Sequence, residues 1–195
     1  MNEILALAAF SLVASGTPGP NNIMLWASGM QFGFRASVPH VIGTSLGLGT
    51  MALAAAAGIG VLVTTVPQVE FALKVIGSIY LLYLAYQVSG IGAIRRAQLA
   101  QPLSLLQAAA FQYVNPKAWF FALAAISTFR PTTLPIVVGS ALVAGIMMAV
   151  IILTASAWAA GGTALKRLIS GERTRRVIGI ILALTLAATV ALIWI

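Results

Sequence analysis

Apolar residues run almost without pause over residues 4 to 32, 37 to 63, 71 to 93, 103 to 129, 134 to 164 and 176 to 195. Short polar stretches such as FGFR, TTVPQVE, RRAQLAQP and RLISGERTRR separate them. Each run reaches the roughly 20 residues that a helix needs to cross a bilayer, and the scarcity of strand-and-turn patterning argues against a barrel. The pattern predicts an all-α integral membrane protein with six transmembrane helices. Connections this short leave no room for an extramembrane domain. Residues 1–195 therefore read as a single transmembrane domain whose function lies among the helices.

Two of the runs are interrupted near mid-membrane. In TPGPNN, Pro18 and Pro20 each remove a backbone donor and Gly19 adds conformational freedom, so the helix cannot pass through intact. In FQYVNPKAWFF, Asn115, Pro116 and Lys117 fall near the centre of the fourth run. An unsatisfied backbone group in lipid costs several kcal/mol, so such breaks persist only against protein or a water-filled cavity. Asn21 and Asn22 can supply some of the missing partners. Phe34-Arg35 follows the first break and Phe129-Arg130 the second, the two pairs standing 95 positions apart. This suggests repeat one over about 1–96 and repeat two over about 101–195. Three spans per repeat is an odd number, which makes the two three-helix repeats inverted.

Paired breaks in inverted halves point to the central site of a transporter. The N-termini of half-helices suit a carboxylate and unwound carbonyls suit an ammonium, so the expected ligand is small, polar and zwitterionic. Prolines that only kink packed helices are the plainer alternative. Lys117 sharpens the question, because a cation at the bilayer centre costs at least about 2.5 kcal/mol and needs a partner. Glu3, Glu70 and Glu172 all lie near run ends. Its expected partners are carbonyls of a broken helix, Asn side chains or a substrate carboxylate. Capping the C-terminal end of the preceding half-helix is the structural alternative.

Composition supports the membrane reading: 61% of residues are hydrophobic and 7% charged, and the mean hydropathy is +1.03. The net charge of +8 serves orientation in such a chain and does not indicate nucleic-acid binding. Arg35, then Arg95 and Arg96, then Lys166, Arg167, Arg173, Arg175 and Arg176 fall in the connections on one side, against Lys74 and Arg130 on the other. The positive-inside rule then puts both termini in the periplasm. The chain has no cysteine, which excludes disulfides, thiolate metal sites and dithiol redox chemistry; neither a metal nor a cofactor is expected. MNEILALAAF lacks a basic leading segment and a cleavage pattern, so it reads as a retained first helix.

TPGPNN followed by GFR, Gly43 and Gly47, then KVIGSIYLLYLAYQ and VNPKAWFF, resemble the lysine exporter (LysE/RhtB) family of bacterial amino-acid efflux proteins over most of the chain. TPGPNNI, GFRAS and AISTF look closest to its cysteine and O-acetylserine exporter branch. The resemblance implies a secondary transporter, not an enzyme, that exports amino acids or close metabolites across the bacterial inner membrane, driven by the proton-motive force. The lack of an acidic residue at depth disfavours lysine and arginine as substrates and favours small neutral amino acids. Export as a direction rests on the resemblance alone. Pro18, Gly19, Pro20, Asn21, Asn22, Asn115, Pro116 and Lys117 match the family's two motifs and are the expected substrate site. Tyr80 and Tyr83 are further candidates for the cavity wall. The chain departs from the common pattern at Ser127-Thr128-Phe129, where many members read PQF, and at Ala85, where glycine is usual.

Other signals carry competing readings. GTSLG at 43 to 47 matches the G-x-S-x-G of serine hydrolases, but that motif works on a strand-to-helix elbow. On a helix His40 and Ser45 would sit about 140° apart around the axis. Gly43 and Gly47 are instead expected to let a neighbouring helix pack closely. They also permit a homodimer. His40 is a candidate proton relay near the cytoplasmic end of its span, with structural or interfacial placement as the alternative. Lys74 is expected to snorkel to its span's end. A small-solute channel would share the polar breaks.

Overall fold

The computed structural model describes residues 2–59, 65–89, 101–168 and 172–194. Its helices are α1 (Asn2–Gly16), α2 (Pro20–Phe32), α3 (Phe34–Ala56), α4 (Pro67–Ser89), α5 (Leu105–Tyr113), α6 (Pro116–Phe129), α7 (Ile136–Leu168) and α8 (Glu172–Ile193), with no strand among the described residues. Segments of α3, α4 and α7 are long and apolar enough to cross a membrane, and α1 and α8 carry shorter apolar stretches. Arg95 and Arg96, which weigh in the expected orientation, lie outside the described residues.

The first and fourth apolar runs are each two helices. Proline explains both restarts: Pro20 opens α2 and Pro116 opens α6, where a missing N–H costs nothing. The carbonyls left behind are taken up by side chains from beyond each break. Asn22 Nδ2 donates to the carbonyls of Ser15 (2.7 Å) and Thr17 (2.8 Å), and Trp119 Nε1 donates to that of Tyr113 (2.8 Å). At its other end α5 is fixed by a capping box between Ser104 and Gln107.

Each broken pair packs on the other half's long helix. α1 and α2 lie along α7, α5 and α6 lie along α3, α3 and α7 pack on each other, and α4 pairs with α8. Small residues permit this, as expected where lipid is as apolar as the core and close packing drives association. A side chain at Gly43 would run into the Leu105 carbonyl and one at Gly47 would come 2.7 Å from that of Ala109, so α3 lies backbone to backbone on α5. Gly29 meets the Ala159 backbone and Gly162 that of Trp26, which gives α2 and α7 the same intimacy.

These contacts fix which half-helices share a side. α3 starts where α2 ends, at Gly33, and climbs beside α5 from Gly43 at Leu105 to Thr50, whose hydroxyl accepts from Tyr113 Oη at 2.9 Å. α2 and α5 therefore lie on one side of the breaks. α1 and α6 lie on the other, where Phe10 stacks on Phe121 and Phe129 at ring separations of 5.6 and 5.4 Å. α7 passes from one side to the other: Arg130 and Pro131 lie against Gly139 near its start, and near its end Lys166 Nζ donates to the Gln31 carbonyl at 2.9 Å. Arg35 and Lys166 mark the α2/α5 face.

Candidate functional site

The two breaks meet around a cavity of about 40 Å³. Of the residues expected at the site, Gly19, Pro20, Asn21, Asn22, Asn115 and Lys117 line it, together with Ser15, Thr44, Gln112 and Thr154. Leu48, Phe121 and Ile151 supply apolar wall. Pro18 and Pro116 are not wall residues. Pro18 contributes its carbonyl, 3.4 Å from Lys117 Nζ, and Pro116 begins α6.

Lys117 sits in the first turn of α6 and reaches across to the end of α1. Its ammonium donates to the Thr17 carbonyl at 2.9 Å and the Thr17 hydroxyl at 2.8 Å. The carbonyl partnership foreseen for a buried cation is present. The half-helix it caps, however, is α1 of the first break and not the preceding α5. Gly19 accommodates this. Its backbone, at φ −173° and ψ 172°, is extended and open to any residue, so the conformational freedom expected of it is not what the position uses. A Cβ there would lie 3.1 Å from both Cδ and Nζ of Lys117, and space is the reason for glycine.

Asn21 is the second centre. Its Oδ1 accepts from Gln112 Nε2 at 3.0 Å, Thr44 Oγ1 at 3.1 Å and His40 Nε2 at 3.3 Å, so donors from α5 and α3 converge on one oxygen of α2. His40 is thereby placed on the first break and buried to 1% exposure, not at an interface. Its Nδ1 has no partner, and neither does the buried Oδ1 of Asn115. Across the cavity the Thr154 hydroxyl donates to that of Ser15 at 2.9 Å. The N-termini of α2 and α6 carry no side-chain cap, so their first N–H groups keep their polarity for something else.

Tyr80 and Tyr83 do not line the cavity. Tyr80 stacks on Phe111 at 5.3 Å, and Tyr83 is 54% exposed on the outer face of α4. Ser45 and His40 serve different partners, the Ser45 hydroxyl donating to the Met148 carbonyl at 3.0 Å. Lys74 pairs with Glu70 one turn away at 2.9 Å. Sequence reasoning passed over Gln112, Thr44, Thr17, Ser15 and Thr154. The available signal was an amide in an otherwise apolar turn three residues before Asn115. Thr44 was hidden inside a motif read for its glycines.

No carboxylate lines the cavity. Among the described residues no cluster of His, Cys, Asp or Glu is suited to a metal. The site offers one cation, amide and hydroxyl groups, and an unpaired buried acceptor, a set suited to binding and orienting a small polar solute.

Cysteine/O-acetylserine efflux proteins of Escherichia coli (strain K12), Shigella flexneri and Salmonella choleraesuis (strain SC-B67) are 31%, 32% and 30% identical to this chain over 125, 132 and 124 residues. The matches cover 64%, 66% and 64% of this chain and 64%, 67% and 64% of those relatives, so the first and third span less than two thirds of the relative's length. No solved structure matches the chain. The family model for the LysE type translocator matches residues 12–193, which takes in both breaks and the whole cavity wall. The chain therefore belongs to the LysE type translocator family.

Proposed function

We propose that this chain is a secondary transporter that exports small neutral amino acids or related metabolites of the cysteine and O-acetylserine kind across the bacterial inner membrane. It works by alternating access, driven by the proton-motive force. One observation carries the reading: two helix breaks meet at a polar cavity, and the lysine of one break is held only by neutral oxygens of the other. An ammonium held by carbonyls keeps its charge for a substrate carboxylate, a stronger acceptor. The unpaired Asn115 Oδ1 suits the substrate's ammonium. With no acid in the wall, a second cationic group on the substrate has no partner, which disfavours lysine and arginine.

Six spans in two inverted three-helix repeats fit this reading. Support comes from the exchange of partners between halves, each broken pair lying on the other's long helix, and from the proline that restarts α2 and α6 alike. A cavity of about 40 Å³ has room for one or two waters. A substrate therefore requires its walls to part, as alternating access does. Export and the substrate class are carried over from the relatives.

Counterflow in proteoliposomes tests the reading. Vesicles loaded with unlabelled cysteine, O-acetylserine, threonine, leucine or lysine take up trace label from outside. The expected result is saturable exchange of the small neutral members, lost in Lys117→Ala and retained in Ser45→Ala. Non-saturable flux without exchange would favour a channel. Silence from folded, inserted protein with every amino acid would remove amino acids as substrates.

A further inference from the structure

We propose that access to the cavity is controlled by two separate hydrogen-bonded gates. Asn21 with Gln112 forms the gate on the face marked by Arg35 and Lys166, and Lys117 with Thr17 forms the gate on the opposite face. The proposal rests on the alternating-access reading above and assigns its moving contacts.

The topology supplies the first argument. α2 and α5 share one side of the breaks, α1 and α6 the other, and one side chain ties each pair together. Gln112, in the last turn of α5, donates to Asn21 in the first turn of α2 at 3.0 Å. Lys117, in the first turn of α6, donates to Thr17 just past the end of α1 at 2.9 and 2.8 Å. The two ties have mirrored positions, one donor preceding its break and the other following it. The cavity lies between them, and all four residues except Thr17 line it.

Every group in a gate except the Lys117 ammonium also keeps a partner on its own half when the gate opens. Asn21 Oδ1 accepts three donors although a carbonyl-type oxygen has two lone pairs, so Thr44 can hold it when Gln112 leaves. Gln112 Nε2 also donates to the Ala108 carbonyl of its own helix at 3.0 Å. The Thr17 carbonyl also accepts from Asn22 at 2.8 Å. Lys117, once released, takes the substrate. Opening the Asn21–Gln112 gate therefore orphans no buried polar group, and opening the other frees only the Lys117 ammonium for the substrate. Elsewhere α5 and α2 lie backbone to backbone at glycine on α3 and α7, and α1 meets α6 through Phe10, Phe121 and Phe129.

The absence of native cysteine makes the test direct. Ala155→Cys puts one thiol in the α7 wall of the cavity, and its reaction with a charged, membrane-impermeant methanethiosulfonate is followed in right-side-out and inside-out vesicles. Adding Gln112→Leu is expected to speed labelling about fivefold from the Arg35 face alone. Adding Lys117→Met should speed it about tenfold from the opposite face alone, since the lost bonds are charge-assisted. Acceleration of both variants from one face, or of neither in folded protein, overturns the proposal. If either variant fails to insert, Gln112→Asn, too short to reach, and Thr17→Val, lacking the hydroxyl, make the same directional test. Counterflow in the same vesicles keeps the two ideas apart. Exchange by the unmodified chain without side-specific labelling sinks the gates alone; side-specific labelling without exchange of any amino acid upholds them and sinks the transport reading.

Discussion

Asn22 and Gly19 occupy adjacent turns of one motif for opposite reasons. Asn22 is there for its side chain, whose amide takes two carbonyls released by the break. Replacing it with leucine strips a partner from Ser15 and Thr17 in a setting that offers no substitute for the first. Asn22→Leu is expected to destabilise the protein by about 2 kcal/mol, read as a lower Tm in detergent. Gly19 is there for what it lacks. Gly19→Ala places a methyl against the Lys117 ammonium without straining the backbone. We expect normal insertion and Tm, with counterflow weakened about tenfold through KM. A Tm loss as large as that of Asn22→Leu would show that Gly19 serves packing and not the lysine. Both motif positions were legible in the sequence. The reason for Asn22 was legible too, since the carbonyls it takes lie within seven positions of it; that for Gly19 was not, because Lys117 stands about a hundred positions away, beyond the reach of any local pattern.

At the scale of the element, the glycines divide by what faces them. Gly29 and Gly43 lie on neighbouring backbone, so a side chain there must push a helix aside. Gly145, in the middle of α7, faces nothing within 4 Å. Gly43→Val is expected to cost about 3 kcal/mol or prevent folding. Gly145→Ala should leave Tm unchanged or raise it slightly, through helix propensity worth up to about 1 kcal/mol. Equal thermal shifts in both would mean that α3 does not rest on α5 in the membrane. The four-residue spacing of Gly43 and Gly47 announced a contact surface. It could not say that the partner is α5 of the same chain, since spacing describes one face and never its complement.

For the whole molecule, orientation is the first question. The basic residues of the α2/α5 face predict that both chain ends lie in the periplasm. Alkaline phosphatase fused at either end of the chain is expected to be active, and green fluorescent protein fused there dark. The reverse result would exchange the names of the two gate faces while leaving their opposition intact. The large apolar side chains on the outside, such as Leu5, Val137 and Leu153, are what a lipid-facing surface requires and carry no further message.

By itself the sequence determined that the chain is helical, that it suits a bilayer, and where its long helices must break. These are consequences of composition and of proline, which act within a few residues and need no tertiary context. The motif residues of the site were equally legible. Tertiary structure alone decided that Lys117 crosses to α1 and that Gln112 and Thr44 gather on Asn21. It also decided that His40 lies at the first break and that Tyr80 and Tyr83 stay outside. The physical reason is the same in each case. A hydrogen bond between distant segments depends on how helices lie on one another, and that is set by glycine contacts whose partners the one-dimensional pattern does not name.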